Sequence, residues 1–199
     1  MISIYKIKPQ FQALLKPILE QMHKKGIQPN TITWMAILLS VVCGLFCWMH
    51  PILISLIILP VALLIRMALN ALDGMMARTY MLQSKSGEML NEIGDVFSDF
   101  VMFAPLYWLF QAELYSFITF LFLSILNEFA GIMGKIVSGT RRYDGPMGKS
   151  DRALMIGLAS IILFCSVRVL PYMQYLFYLL DVLLLLSTFI RIKKSLSTE

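Results

Sequence analysis

Charge is scarce in this chain. Asp, Glu, Lys and Arg make up 15% of its 199 residues, against 58% for hydrophobic types. A soluble domain of this length cannot bury that much apolar surface, so a soluble globular fold is excluded. Cysteine is limited to three residues and histidine to two. Cys43, Cys47 and Cys165 all fall inside apolar runs. An odd, buried set offers no disulfide framework and no metal spacing, and reads as small core hydrophobes. His23 and His50 sit at the edges of apolar runs and form no constellation. Basic and aromatic residues are not interleaved as a nucleic-acid surface requires, so no nucleic-acid partner is expected. There is no internal repeat and no low-complexity tract. The first long apolar run starts at Thr33, and no small-residue cleavage site follows it. A cleavable signal peptide is therefore not expected.

What is present is apolar and helical. Six segments are predicted to span a membrane: 33–49, 52–69, 96–110, 114–133, 153–167 and 172–190. Several fall slightly short of the ~20 residues that cross ~30 Å of hydrocarbon. The second and third can run on into the polar stretch between them. A helix over 52–78 is roughly 40 Å long at 1.5 Å per residue. The predicted fold class is all-α, a polytopic membrane protein with six transmembrane helices.

Basic residues set the orientation. With the N-terminus in the cytoplasm, Arg168 alone of the 17 Lys and Arg residues falls outside. Both termini are therefore expected in the cytoplasm. The net charge of +5 reads as topology plus attraction to anionic lipid.

Residues 1–28 differ in kind. Ile4, Ile7, Phe11, Leu14, Leu15, Ile18, Leu19 and Met22 recur at helical spacing, with Lys6, Lys8, Lys16, Lys24 and Lys25 elsewhere on the wheel. This predicts an interfacial amphipathic helix on the inner leaflet, started or bent by Pro9 and Pro17. Residues 29–199 form the membrane body. Pro29 disfavours helix at Gln28, and Asn30 or Thr31 can cap the first span. Pro60 and Pro105 are expected to kink the second and third.

The chemistry lies in residues 70–99, NALDGMMARTYMLQSKSGEMLNEIGDVFSD. Acids at a junction between apolar segments are expensive, about 2.5–3.5 kcal/mol each at a bilayer centre. Asn70 and Asp73 are i and i+3 on one helix. Asn91, Asp95 and Asp99 are i, i+4 and i+8 on the next. The connection over 79–86 turns the chain back, so the two polar stripes can face each other. Oxygen donors converging from two helices suit Mg2+ or Mn2+. Gly74 and Gly87 permit close approach, and Arg78 presents a fork to a phosphate. A cation with a positioned carboxylate base suffices for attack of an alcohol on a phosphoryl centre.

Asp73-Gly74-x2-Ala77-Arg78-x8-Gly87, followed by Asp95, resembles the signature of the CDP-alcohol phosphotransferases, D-x2-D-G-x2-A-R-x8-G-x3-D-x3-D. The PNTIT stretch, with Pro29, Asn30 and Thr33, is similar to that family's P-N-x-x-T element near the cytidine pocket. The resemblance covers nearly the whole chain. It implies a homodimeric membrane enzyme of phospholipid biosynthesis. Such an enzyme transfers a phosphatidyl group from a CDP-linked lipid, usually CDP-diacylglycerol, to an alcohol and releases CMP. By position, Asp73 would bind metal, and Asp95 would be metal ligand and general base. Asn30, Thr33, Gly74, Ala77, Arg78 and Gly87 would line the CDP site. The chain departs from the signature at Asn70 and Asn91, which stand where the family has its first and third acids. Amide oxygens can still ligate Mg2+, but the cluster loses two charges, and Asp99 can partly compensate. The alternative reading is a relative that binds CDP-lipid without turnover.

Residues 134–152 form the main polar loop, where Arg141, Arg142, Lys149 and Arg152 read either as inner-leaflet charge or as an acceptor pocket. Arg142, Lys149 and Arg152 are the acceptor candidates, and Gly148-Lys149-Ser150 can hold a phosphate on backbone N–H groups. Glu128, near the inner end of the fourth span, is a candidate for lining the site, as an intramembrane acid. Asp181 is a weaker one with no evident partner. A small transporter built on Glu128 and Asp181 is disfavoured, because the acids cluster at one hairpin and no half-helix repeat appears. The expected location is the inner membrane of a bacterium, with the active site facing the cytoplasm.

Labelling of single cysteines at Ser3, His50 and Thr198, in a cysteine-free background, tests the topology. Only position 50 is expected to label from outside. External labelling at 198 would rule out six spans.

Overall fold

In a computed structural model, residues 8–49 and 51–197 are described, the side chain of Lys8 excepted. Among them the chain is helical, with no strand. It divides into two compact units, one ending at Ala104 and the other beginning at Pro105.

The first unit holds α1 (Lys8–Lys24), α2 (Pro29–Met49), α3 (Ile52–Thr79) and α4 (Lys85–Phe103). Apolar residues at 3.6-residue spacing decide how they pack. α2 lies against both α3 and α4, and α1 lies against α3. The predicted stripe of α1 is divided. Leu15 and Leu19 are buried with Ile32, Leu72 and Met76, and Phe11 and Met22 pack at the edge. Leu14 and Ile18 of the same stripe are exposed. The imidazole of His23 stacks on Tyr80 at 3.5 Å between ring centres, joining the end of α1 to the residue after α3. Ile4, Lys6 and Ile7 lie outside the described residues, as do Ser3, His50 and Thr198.

α2 begins at Pro29, so Asn30 and Thr31 stand within its first turn rather than outside it as caps. α3 runs unbroken through Pro60 and on to Thr79, which carries the motif on its last turns as expected. α4 is capped by Ser84, whose hydroxyl accepts from Gly87 N–H at 3.0 Å. It ends at Phe103. The segment expected as one helix over 96–110 is therefore interrupted, and Pro105 starts a separate turn, α5 (Leu106–Leu109). The cause is the missing N–H and the ring of proline.

The second unit continues with α6 (Leu114–Ser138), α7 (Lys149–Cys165), a 3-10 segment (Val167–Tyr172) and α8 (Met173–Leu196). Glu113 caps α6 by accepting from Tyr115 and Ser116 N–H. These backbone donors hold its carboxyl below the usual range, Ser116 contributing most. Gly139, with φ +75°, ends α6, so the polar loop is shorter than expected, 139–148. Phe177 of α8 meets Phe117 and Phe120 edge-on at 5.6 and 5.4 Å, which ties α6 to α8. Cys43 and Cys47 are buried as expected; Cys165, at the end of α7, is exposed instead.

Four helical stretches are long and apolar enough to cross a membrane: Pro29–Met49, Ile52–Thr79, Leu114–Ser138 and Val167–Leu196. α4 and α7 occupy the places of the third and fifth expected spans. α4 carries Lys85, Glu88, Glu92, Asp95 and Asp99, and α7 is only 17 residues long.

The α2–α4 contact leaves no room for side chains at two places. A Cβ on Gly44 would lie 2.5 Å from the backbone oxygen of Val101. A Cβ on Gly94 would lie 2.6 Å from Cδ1 of Ile37, a chain end that can rotate. Gly44→Ala is therefore expected to destabilise the protein by about 1–3 kcal/mol, and Gly94→Ala by less. Thermal unfolding in detergent checks this. Equal losses would show that the backbone contact at Gly44 does not limit the helix spacing.

Candidate functional site

Three helices of the first unit converge on the motif. α2 supplies Asn30 and Thr33, α3 supplies Asn70, Asp73, Gly74, Ala77 and Arg78, and α4 supplies Gly87, Asn91, Asp95 and Asp99. The hydroxyl of Thr33 donates to Asp73 Oδ2 at 3.0 Å. The amide of Asn70 donates to Asp95 Oδ1 at 2.8 Å, joining the two helical stripes as their spacing predicts. Asp73 and Asp95 are both buried. A Cβ on Gly87 would stand 2.6 Å from Asn30 Oδ1, so only glycine admits this approach of α2 to α4. At Gly74 the missing side chain leaves room for the guanidinium of Arg78, whose Nη2 would lie 3.2 Å from a Cβ there. Ala77 and Asn91 are half-buried, and Arg78 is exposed.

The donors assembled here are hard oxygens: two carboxylates, amides and a hydroxyl. Among the described residues no three His, Cys, Asp or Glu side chains gather as a metal cluster. The carboxylates of Asp73 and Asp95, with the amide oxygens of Asn70 and Asn91, are the groups that could hold Mg2+ or Mn2+. Oxygen donors of this kind fit either ion.

Arg66 is a member of this cluster that the sequence reading counted only as inner-side charge. It lies on α3 one turn before Asn70, and its guanidinium is buried. Nη1 pairs with Asp99 Oδ1 at 2.5 Å, and Nη2 donates to the backbone oxygen of Asp95 at 3.1 Å. A signal for it existed: a single arginine in an otherwise apolar helix, on the face shared by Asn70 and Asp73.

The second unit gathers positive charge around one acid. Glu128 on α6 is 3% exposed. Its carboxylate oxygens, Oε1 and Oε2, accept from Arg152 at 3.1 Å and from Arg141 at 3.0 Å. Arg191 Nη1 lies 3.8 Å from Oε1, and the charge of Lys149 acts on the same carboxylate. Arg152 and Arg191 are themselves buried. Of the three expected acceptor residues, Arg152 and Lys149 belong to this group. Arg142 is placed differently: its N–H donates to Gly131 O at 3.1 Å, and its stem lies against Gly134. Arg191, whose sequence position reads as topology, joins Glu128, as does Arg141, which reads as either inner-leaflet charge or acceptor pocket. Of the backbone donors expected for a phosphate at 148–150, Gly148 N–H is taken by Asp151 Oδ2 at 2.9 Å, which caps α7. Asp181 is buried in α8, and its Oδ1 meets no hydrogen-bond partner among the described residues.

A family model described as CDP-alcohol phosphatidyltransferase matches residues 27–190. The chain is 40% identical over 184 residues, 92% of each chain, to the inner membrane protein YnbA of Escherichia coli (strain K12). It is 27% identical over 101 residues to an uncharacterized protein of Aquifex aeolicus (strain VF5), covering 51% of this chain and 50% of that one. Among solved structures it is similar to Mycobacterium tuberculosis phosphatidylinositol phosphate synthase, PgsA1. The crystal structure with manganese and citrate matches with TM-score 0.74 at 18% identity, over 91% of this chain and 88% of that one. The crystal structure with CDP-DAG bound matches with TM-score 0.73 at 18% identity, over 90% and 92%. At this identity the likeness is one of fold.

Removing the charge of Glu128 would leave several buried cations without their carboxylate. Glu128→Gln is expected to destabilise the protein by about 3–5 kcal/mol. Chemical unfolding in detergent measures it. A variant as stable as the wild type would show that Glu128 does not hold the basic group together.

Proposed function

Since the chain belongs to the CDP-alcohol phosphatidyltransferase family, we propose that it transfers a phosphatidyl group from a CDP-linked lipid, such as CDP-diacylglycerol, to an alcohol acceptor. In this reaction the acceptor oxygen bonds to the phosphatidyl phosphorus. The phosphoanhydride bond to the nucleotide breaks, and CMP leaves. The observation that carries the proposal is the Asn70–Asp95 contact, which sets the motif of α3 against that of α4. Asp95 takes the proton of the attacking hydroxyl as general base. Asp73, oriented by Thr33, and Asp95 hold Mg2+ or Mn2+, with Asn70 and Asn91 as weaker neutral donors. The ion, when bound, neutralises charge that develops on the phosphoryl oxygens. Arg78 meets the CDP phosphates, and Asn30, Thr33, Gly74, Ala77 and Gly87 line the nucleotide pocket. The CDP-DAG-bound neighbour of the same fold supports a CDP-lipid donor.

The acceptor in this reading carries an anionic group, such as a phosphate. The four cations gathered near Glu128, Lys149, Arg152, Arg141 and Arg191, favour such a ligand. Arg142 is kept among the acceptor candidates. The protein is proposed to be a homodimer, as the family resemblance implies, and to lie in the bacterial inner membrane, as the name of its Escherichia coli relative suggests. Residues 1–28 are proposed as the interfacial helix and 29–199 as the six-span catalytic body, with α4 and α7 crossing beside the four longer helices. Both termini and the active site face the cytoplasm.

Detergent-solubilised protein with CDP-diacylglycerol, Mg2+ or Mn2+, and a panel of alcohols tests the reading through CMP release. Asp95→Asn and EDTA are each expected to abolish turnover. Lys149→Gln is expected to raise the KM for the acceptor roughly ten- to a hundredfold, the loss of a charge-assisted contact of about 1.5–3 kcal/mol. The KM for the CDP-lipid should stay near its original value, whereas Arg78→Gln should raise that one. Binding of CDP-lipid without CMP release from any acceptor would instead identify a relative that has lost turnover, as the exchange of two acids for Asn70 and Asn91 would allow.

A further inference from the structure

The buried guanidinium of Arg66 sits within the candidate metal site, and none of the roles described above uses it. Its side chain is 6% exposed, and those of Asp95 and Asp99 are 7% and 9% exposed. Positions 66, 70 and 73 share one face of α3, and 95 and 99 share one face of α4. Arg66 spans both acids on that second face. One arm pairs with the Asp99 carboxylate. The other donates to the Asp95 backbone oxygen at 3.1 Å and stands 3.7 Å from Asp95 Oδ1. That same oxygen accepts from Asn70 at 2.8 Å. Asp95 is thus gripped at its main chain and at one carboxylate oxygen by two residues of α3. A planar fork can make such a bridge, whereas a single ammonium cannot meet both partners.

Charge gives the bridge a second consequence. Asp73, Asp95 and Asp99 are three buried acids, and Arg66 is the buried base paired among them. We propose that Arg66 is a positioning residue that aims the Asp95 carboxylate and supplies part of the site's positive charge from within. Asp99 serves as the anchor of Arg66 rather than as a ligand of the divalent ion. This rests on the transfer reading for its effect on turnover, but not for its effect on ion binding.

The test measures Mn2+ binding to the full-length protein in detergent, by calorimetry and by the electron paramagnetic resonance of free Mn2+, beside CMP release. The wild type is expected to bind Mn2+. Arg66→Gln removes the internal charge, so it should bind Mn2+ about tenfold more tightly. Its kcat should fall at least about tenfold, as the base is no longer held in place. A residue that merely supported the fold would lose ion binding and turnover together. Arg66→Lys keeps the charge and loses the bridge. It should bind Mn2+ at near wild-type affinity with a reduced kcat, and it decides the matter where Arg66→Gln does not fold. Weaker Mn2+ binding in Arg66→Gln, or full turnover in either variant, would overturn the proposal. If the wild type releases no CMP, the transfer reading fails, while the Mn2+ affinity of wild type and variants still decides the charge role of Arg66.

Discussion

A carboxylate among apolar helices persists only where donors and cations meet it, and both units are built around that requirement. In the first, Asp73 takes the Thr33 hydroxyl, Asp95 takes the Asn70 amide, and Asp99 takes Arg66. Each of these contacts crosses from one helix to another. The acids are therefore also what fixes α2, α3 and α4 in register. Apolar packing alone is non-directional and would tolerate a helix sliding by a fraction of a turn. A hydrogen bond to a buried carboxylate would not.

The two units solve the problem with opposite arrangements. In the first, Arg66 lies between Asp95 and Asp99. In the second, Arg141, Arg152 and Arg191 gather round Glu128. Each group lies where water is scarce and a charge acts strongly.

The N-terminal helix shows how one amphipathic stripe can serve two surfaces. Leu15 and Leu19 pack on Leu72 and Met76, which flank Asp73 on α3. Leu14 and Ile18 stay outside. The stacked His23 and Tyr80 fasten the other end beside the turn that leads to α4. α1 thus braces the part of α3 that carries the motif.

Much of this was legible from residue order. Apolar run length and the scarcity of charge defined an all-helical membrane chain. Intervals of three and four put Asn70 beside Asp73 and aligned Asn91, Asp95 and Asp99, because the helical repeat is local geometry. The hairpin contact of Asn70 with Asp95 followed from a short connection. Pro105 and the capping roles of Ser84 and Asp151 were misjudged or missed, since they depend on where a helix ends by one or two residues. Three-dimensional packing alone gave Arg66, Arg141 and Arg191 their partners. In a list of basic residues, Arg66 and Arg191 are indistinguishable from a topology signal, and Arg141 is left between that and a pocket. Their partners lie 33, 13 and 63 positions away along the chain. No periodicity reaches across such distances; only the packing of helices selects which buried arginine meets which buried acid.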